Sequence, residues 1–241
     1  MTSGPCHSRT GVTTTFVLVP GAGGDTWFWH RLVAELEPRG HRGVPVELPA
    51  GDESAGLAAY ADAVVAAAGP RSPLVVVAQS MGGLTAPLVC PRLPVELLVL
   101  VNAMIPLPGE TGGDWWTVTG QRNARSEYWM REGIAGDPDD DAVMFFHDVP
   151  AEVTAVAMSQ EFAQSGRPLE EPWPLAAWPD VPTRVLAARD DRVFPAEFQR
   201  RIAENRLGLV ADVIPGGHLV ALSRPVELAD RLEDYLVSLG R

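Results

Sequence analysis

The sequence predicts an α/β fold, with one mainly parallel sheet of about six strands, helices on its faces and a helical insertion over one end. Three observations carry this reading. Short apolar, β-branched runs alternate with helix-compatible stretches in both the first and the last part of the chain. One of these runs, Val75-Val76-Val77-Ala78-Gln79-Ser80-Met81-Gly82-Gly83, ends in a serine and two glycines, which reads as strand, very tight turn and helix. Residues 104–178 then break the alternation and hold five of the seven tryptophans, Trp115, Trp116, Trp129, Trp173 and Trp178.

Taken in order, residues 16–19 are a continuous apolar run, as in a strand buried on both faces. Pro20-Gly21-Ala22-Gly23-Gly24 follows, and Asp25 or Thr26 caps a helix over 27–37. This glycine loop has neither the Gly-Lys-Ser/Thr ending nor the Gly-x-Gly-x-x-Gly spacing of nucleotide sites, so its N–H groups are expected to face the serine. Residues 44–48 form a strand that Pro45 assigns to a sheet edge. A helix over 55–68, a strand over 74–78, a helix over 82–92 and a strand over 95–102 follow.

The insertion also holds Met130, Met144, Phe145, Phe146, Met158 and Phe162, too much apolar surface for a disordered segment. Its acidic run Asp139-Asp140-Asp141 reads as a solvated turn and helix start, not a metal site. The alternation resumes with a strand over 183–188, a helix over 196–205, a strand over 209–214 and an amphipathic helix over 224–239. The chain is thus one domain over residues 1–241, with its core in 15–106 and 179–241 and a cap in 107–178. Residues 1–14 are small and polar and are expected to be poorly ordered.

At 241 residues the chain is long enough to bury a large core, and 46% hydrophobic with 21% charged residues is ordinary for a globular protein. A net charge of −12 argues against nucleic acid and anionic membranes as partners, since both attract basic surfaces. Two cysteines, Cys6 and Cys90, imply no disulfide framework. No signal-peptide core stands at the start, and no run approaches the roughly 20 apolar residues of a membrane span, so a cytoplasmic location is expected.

The chemistry centres on Ser80. Ala-x-Ser-x-Gly is one methyl group away from the Gly-x-Ser-x-Gly nucleophile elbow, whose strained turn lifts the serine hydroxyl clear of the strand. A serine in this place is often only a helix N-cap, so its partners decide. Ala188-Arg189-Asp190-Asp191 and Pro215-Gly216-Gly217-His218 supply a carboxylate and an imidazole, each just after a strand. Parallel strands bring those ends to one edge of the sheet. His7, His30, His41 and His147 lack such a context and read as surface or structural, with His147 alone near the pocket.

These residues resemble the α/β-hydrolase superfamily, and within it the plant methylesterase and hydroxynitrile lyase group with its bacterial relatives. The segments that carry the likeness are 16–22 with Trp27 and Trp29, then 78–83, 191–199 and 217–225. The resemblance implies Ser80 as nucleophile, His218 as base and Asp191 as its orienter, with the N–H groups of Ala22 and Met81 as oxyanion hole. Asp191 fits the family's Gly-x-x-Asp-x-x-x-Pro spacing better than Asp190, with Ala188 in the glycine's place. Pro20 stands where relatives carry His, and Ala78-Gln79 where they carry Gly-His. The lyase branch has threonine at the place of Gly21 and lysine at that of Leu219, so this chain favours ester hydrolysis.

The expected function is a carboxylesterase-type serine hydrolase acting on a small apolar or aromatic ester, with no metal and no cofactor. Gly21, Trp27 and Leu219 are the expected substrate-binding residues. A thioesterase or a lyase with the same triad is the rival among enzymes. A non-catalytic ligand-binding protein is the rival from another class. A homodimer stays open as the assembly.

Overall fold

The computed structural model describes residues 13–240, so the readings placed on residues 1–12, Cys6 and His7 among them, lie outside the described residues. The chain enters through β1 (Thr15–Val19), a 3-10 turn (Thr26–Trp29) and α1 (His30–Leu36). It continues through β2 (Arg42–Pro45), α2 (Leu57–Ala68), β3 (Leu74–Gln79), α3 (Gly82–Val89) and β4 (Val95–Val101). An insertion of short helices follows: α4 (Gly112–Val118), α5 (Gln121–Glu132), α6 (Asp141–Met144), α7 (Ala151–Met158) and α8 (Arg167–Glu170). The last part is β5 (Thr183–Ala188), α9 (Ala196–Leu207), β6 (Asp212–Ile214), α10 (Val220–Ser223) and α11 (Pro225–Ser238).

The six strands are all parallel in the order β2-β1-β3-β4-β5-β6. The strands are continuous apolar runs because both faces are covered. Val17, Val19, Val76, Ala78, Leu98 and Leu100 face one core with α2, α3 and α9. Phe16, Leu18, Val75, Val77, Leu97 and Val99 face the other with α1 and α11. The order of connection reverses between β1 and β3, so the loops leaving these two neighbours open a crevice at the strand ends.

Among the boundaries that differ from the sequence reading, three have a clear local cause. β2 is an edge strand as expected, but it runs Arg42–Pro45 and not 44–48. Pairing starts at exposed Arg42 beside Thr15, and Pro45, with no N–H, closes the regular ladder. β6 is only Asp212–Ile214, because the N–H of Leu209 turns back to Ala203 O behind the left-handed Gly208 that ends α9. α3 ends at Val89, where Pro87 has already removed one donor from the helix. The N-terminus of α2 is capped from far along the chain: Glu171, just past α8, accepts from Leu57 N at 2.8 Å. Among the described residues no helix is long and apolar enough to cross a membrane.

Candidate active site

Ser80 follows β3 directly and takes φ 52°, a left-handed conformation that a serine adopts only when its surroundings over-determine it. Four backbone bonds do so. Its N–H donates to Asn102 O at 3.1 Å and Val101 O at 3.3 Å, and its carbonyl accepts from Met104 N at 2.9 Å and Gly83 N at 3.1 Å. The turn also needs its glycines. A Cβ on Gly82 would stand 2.6 Å from Pro20 O, and one on Gly83 would collide with Met104 O. Across the crevice, a Cβ on Gly21 would come within 2.8 Å of the Ser80 Cβ. Gly21 therefore acts through close approach, not through contact with the cavity.

The loops after β5 and β6 meet this serine. His218 Nδ1 donates to Asp191 Oδ2 at 2.8 Å, which leaves Nε2 to accept from the Ser80 hydroxyl at 3.0 Å. Asp191 is fully buried and His218 is 2% exposed. The carboxylate is not left unpaired: Oδ1 accepts from Val193 N at 2.8 Å and Phe194 N at 2.9 Å, and Oδ2 also from Gln199 Nε2 at 3.3 Å. Asp190 points elsewhere, into a two-bond ion pair with Arg189 and onto Gly216 N. That contrast separates the two neighbouring acids. The His218 ring is packed edge-on by Phe194 at 5.2 Å and Phe145 at 5.6 Å.

Ser80 and His218 open into a cavity of about 320 Å³. Its core wall is Ala22, Gly23, Phe28, Gln79 and Leu219. The insertion supplies Asp141, Phe145, Phe146, Ala157, Met158, Gln160, Phe162 and Gln164. Among the described residues no acceptor takes the N–H of Ala22 or of Met81, the two amides flanking Ser80. Met81 is also the N-cap of α3, whose free N–H groups carry the positive end of its dipole.

Of the residues expected to bind substrate, Leu219 lines the cavity and Trp27 does not. The Trp27 ring meets His30 at 4.9 Å, tilted by 38°, and the next residue, Phe28, takes the wall and meets Phe162 at 4.9 Å. A 3-10 turn in place of the expected helix start sets this one-residue offset. None of the five insertion tryptophans lines the cavity either. They are anchors: Trp115 Nε1 donates to Ile105 O, Trp173 Nε1 to Leu84 O and Trp129 Nε1 to Arg192 O.

The insertion also braces the loops of the site. Gln164 accepts from Gly23 N at 3.0 Å and so fixes the loop after β1. Asp148 accepts from Gly217 N at 2.7 Å and so fixes the loop that carries His218. His147 lies in the same corner, where burial first and then the Arg192 charge push it below its ordinary value. Cys90 is buried at the C-terminal end of the elbow helix, and desolvation pushes its thiol up to about 12, so it offers no rival nucleophile. Asn102, Gln199 and Asp148 escaped the sequence reading. Asn102 alone had a signal there, a lone amide closing an apolar strand where both faces are covered.

A family model described as the alpha/beta hydrolase family matches residues 16–231. A probable esterase, PIR7A, from Oryza sativa subsp. indica is 38% identical over 111 residues. That match covers 41% of this chain and 42% of the relative, so the chain spans less than half of that protein's length. The solved structure of polyneuridine aldehyde esterase superposes with a TM-score of 0.73 at 22% identity, over 93% of this chain and 99% of that one. A pyrethroid hydrolase from Sphingobium faniae JZ-2 superposes with a TM-score of 0.72 at 21% identity, over 93% and 97%.

Proposed function

Because the chain belongs to the alpha/beta hydrolase family, we propose that it is a serine hydrolase cleaving a small apolar or aromatic carboxylic ester through an acyl-enzyme. The observation that carries this is the unbroken chain of hydrogen bonds from Ser80 Oγ through His218 to Asp191, at 3.0 and 2.8 Å. In the proposed reaction His218 Nε2 takes the Ser80 proton as the hydroxyl oxygen attacks the ester carbonyl carbon. Asp191 holds the imidazole in the tautomer whose Nε2 is free to accept, and stabilises the imidazolium that forms. The N–H groups of Ala22 and Met81 receive the oxyanion; one such donor is worth roughly 10²–10³ in rate. His218 then returns its proton to the departing alkoxide. A water molecule, activated by the same imidazole, attacks the acyl-enzyme and releases the acid.

Phe28, Phe145, Phe146 and Phe162 in the cavity wall support an apolar or aromatic substrate. Two features favour hydrolysis over cyanohydrin cleavage. Leu219 puts no cation beside His218 to receive a departing anion, and Gly21 has no hydroxyl to hold a substrate oxygen. The PIR7A match supports the ester class by name, over the stretch it covers.

The test is a panel of p-nitrophenyl and methyl esters, a thioester and mandelonitrile, run with the parent protein and with Ser80→Ala. Ester turnover that requires Ser80 and exceeds cyanohydrin cleavage is the expected result. Cyanohydrin cleavage that requires Ser80 and exceeds ester turnover would make the protein a lyase. Tight ester binding without turnover would make it a binding protein.

A further inference from the structure

Ser80 and Asn102 are the two non-glycine residues with positive φ among the described residues, at 52° and 47°. They touch: Ser80 N donates to Asn102 O at 3.1 Å. The strain at Ser80 belongs to the elbow. The backbone of Asn102 serves that turn through its carbonyl, while its side chain, 0% exposed, reaches a different set of partners. Asn102 Nδ2 donates to His218 O at 2.9 Å and Gly217 O at 3.2 Å. Asn102 Oδ1 accepts from Ala188 N at 2.7 Å and Gln199 Nε2 at 3.2 Å. All four polar sites of one buried amide are therefore used, between the end of β4, the end of β5 and the His218 loop.

The partners of this amide lead to both ends of the His218–Asp191 bond. Gln199 Nε2 gives one hydrogen to Phe194 O at 2.6 Å and shares the other between Asn102 Oδ1 at 3.2 Å and Asp191 Oδ2 at 3.3 Å. Asp191 N turns back to Ala188 O at 3.4 Å, the residue whose own N–H Asn102 holds. A second amide reaches the same His218 carbonyl: Gln79, the residue before Ser80, donates to it at 3.2 Å. The backbone of His218 is thus tied to the nucleophile strand by Gln79 and to the neighbouring strand by Asn102.

We infer that Asn102 is the positioning residue of this site: its side-chain amide sets the imidazole of His218 between Asp191 and Ser80, with Gln79 as a second tie on the same carbonyl. The inference rests on the serine hydrolase reading for its kinetic consequence, but not for its structural one. Asn102 touches no reacting atom and acts through His218. An imidazole displaced by a fraction of an ångström still binds substrate beside it but transfers protons poorly, so the loss falls on kcat and spares KM.

The experiment replaces Asn102 with glycine, which keeps the left-handed backbone accessible while deleting the amide. Two readouts are taken on folded protein. The first is the proton resonance of the His218 Nδ1–H, recorded on histidine-labelled protein and assigned by its disappearance in Asp191→Asn. The second is the kcat and KM of the best ester in the panel. The inference predicts that in Asn102→Gly the resonance moves upfield or is lost to solvent exchange. It also predicts that kcat falls on the order of 10²-fold while KM stays within about two-fold. A resonance unmoved and a kcat within about two-fold of the parent would overturn it, since a residue that only stabilises the fold lowers the melting temperature and leaves both unchanged. If Asn102→Gly does not fold, Asn102→Asp decides by the same two readouts, because it keeps the acceptor and deletes the Nδ2–H bonds to His218 O and Gly217 O: a moved resonance with a lowered kcat supports the inference, and an unmoved resonance with a parent-like kcat overturns it. Should the parent hydrolyse no ester, the hydrolase reading fails, and the resonance still tests the positioning role.

Discussion

On the sheet side of the cavity, Ser80, Asp191 and His218 each follow a parallel strand and are held by hydrogen bonds from neighbouring strand ends. On the insertion side, Phe145, Phe146, Met158 and Phe162 stand on short helices and turns and contribute surface alone. The two walls differ in how much freedom each position has. Asp191 accepts four hydrogen bonds in a fully buried pocket, so an exchange there leaves buried donors without their acceptor. Phe162 is half-exposed, so its ring is exchangeable at small cost to the fold. The arrangement divides labour: the sheet edge supplies the chemistry and the insertion supplies the shape. Within the insertion the tryptophans and phenylalanines divide again, Trp115, Trp129 and Trp173 as anchors and Phe145, Phe146 and Phe162 as wall.

The largest expected effect tests the sheet side. Asp191→Asn should lower kcat on the order of 10⁴-fold, because an amide favours the wrong imidazole tautomer. Asp190→Asn should stay within several-fold of the parent, since that carboxylate holds Arg189 and Gly216 N instead. Equal losses in the two variants would break the distinction between the neighbouring acids.

Next come paired truncations of the insertion. Trp115 is fully buried and packs on Phe194 at 5.2 Å and Phe198 at 5.7 Å. Trp115→Ala should cost about 3–5 kcal/mol of stability, read by denaturant unfolding. Phe162→Ala should leave the unfolding midpoint near that of the parent and lower kcat/KM for a bulky aryl ester by about ten-fold, the worth of a few buried CH₂ groups. If Phe162→Ala instead unfolds the protein and Trp115→Ala changes only specificity, the assignment of anchors and wall is reversed.

The smallest effect concerns His147. Its folded-state value is lowered by burial and by Arg192, so the unfolded chain takes up the proton more readily. The stability tied to neutral His147 is therefore complete above about pH 6.5 and is lost as pH falls through the lowered folded value. His147→Gln should make the fall of melting temperature on the acid side shallower than in the parent. An unchanged slope would show that His147 carries no part of the acid sensitivity of this corner.

The same contrast explains what the sequence made legible. Strands β1, β3, β4 and β5 announce themselves because double burial forces continuous apolar runs, and β2 and β6 less well because an edge needs fewer. Ser80, His218 and the Asp190-Asp191 pair were readable because residue type, order and position at strand ends coincide, and the choice of Asp191 within the pair came from the family resemblance. Phe28 was missed for Trp27 because a 3-10 turn rotates side chains differently from an α-helix. Asn102 was missed because its partner His218 O lies 116 residues away, and Gln199 because no local pattern joins a helix amide to the Asp191 carboxylate in the loop eight residues before it. The insertion gave only its composition: aromatic content signals packing, but not which rings anchor and which line the cavity.

The most direct test of the account is covalent labelling at the elbow. The parent and Ser80→Ala are treated with a fluorophosphonate, and the adducts are read by intact mass and peptide mapping. The account predicts one adduct per chain, on Ser80, absent from a folded Ser80→Ala protein that also hydrolyses no ester. Labelling elsewhere, or ester hydrolysis near the parent rate in pure Ser80→Ala protein, would contradict it.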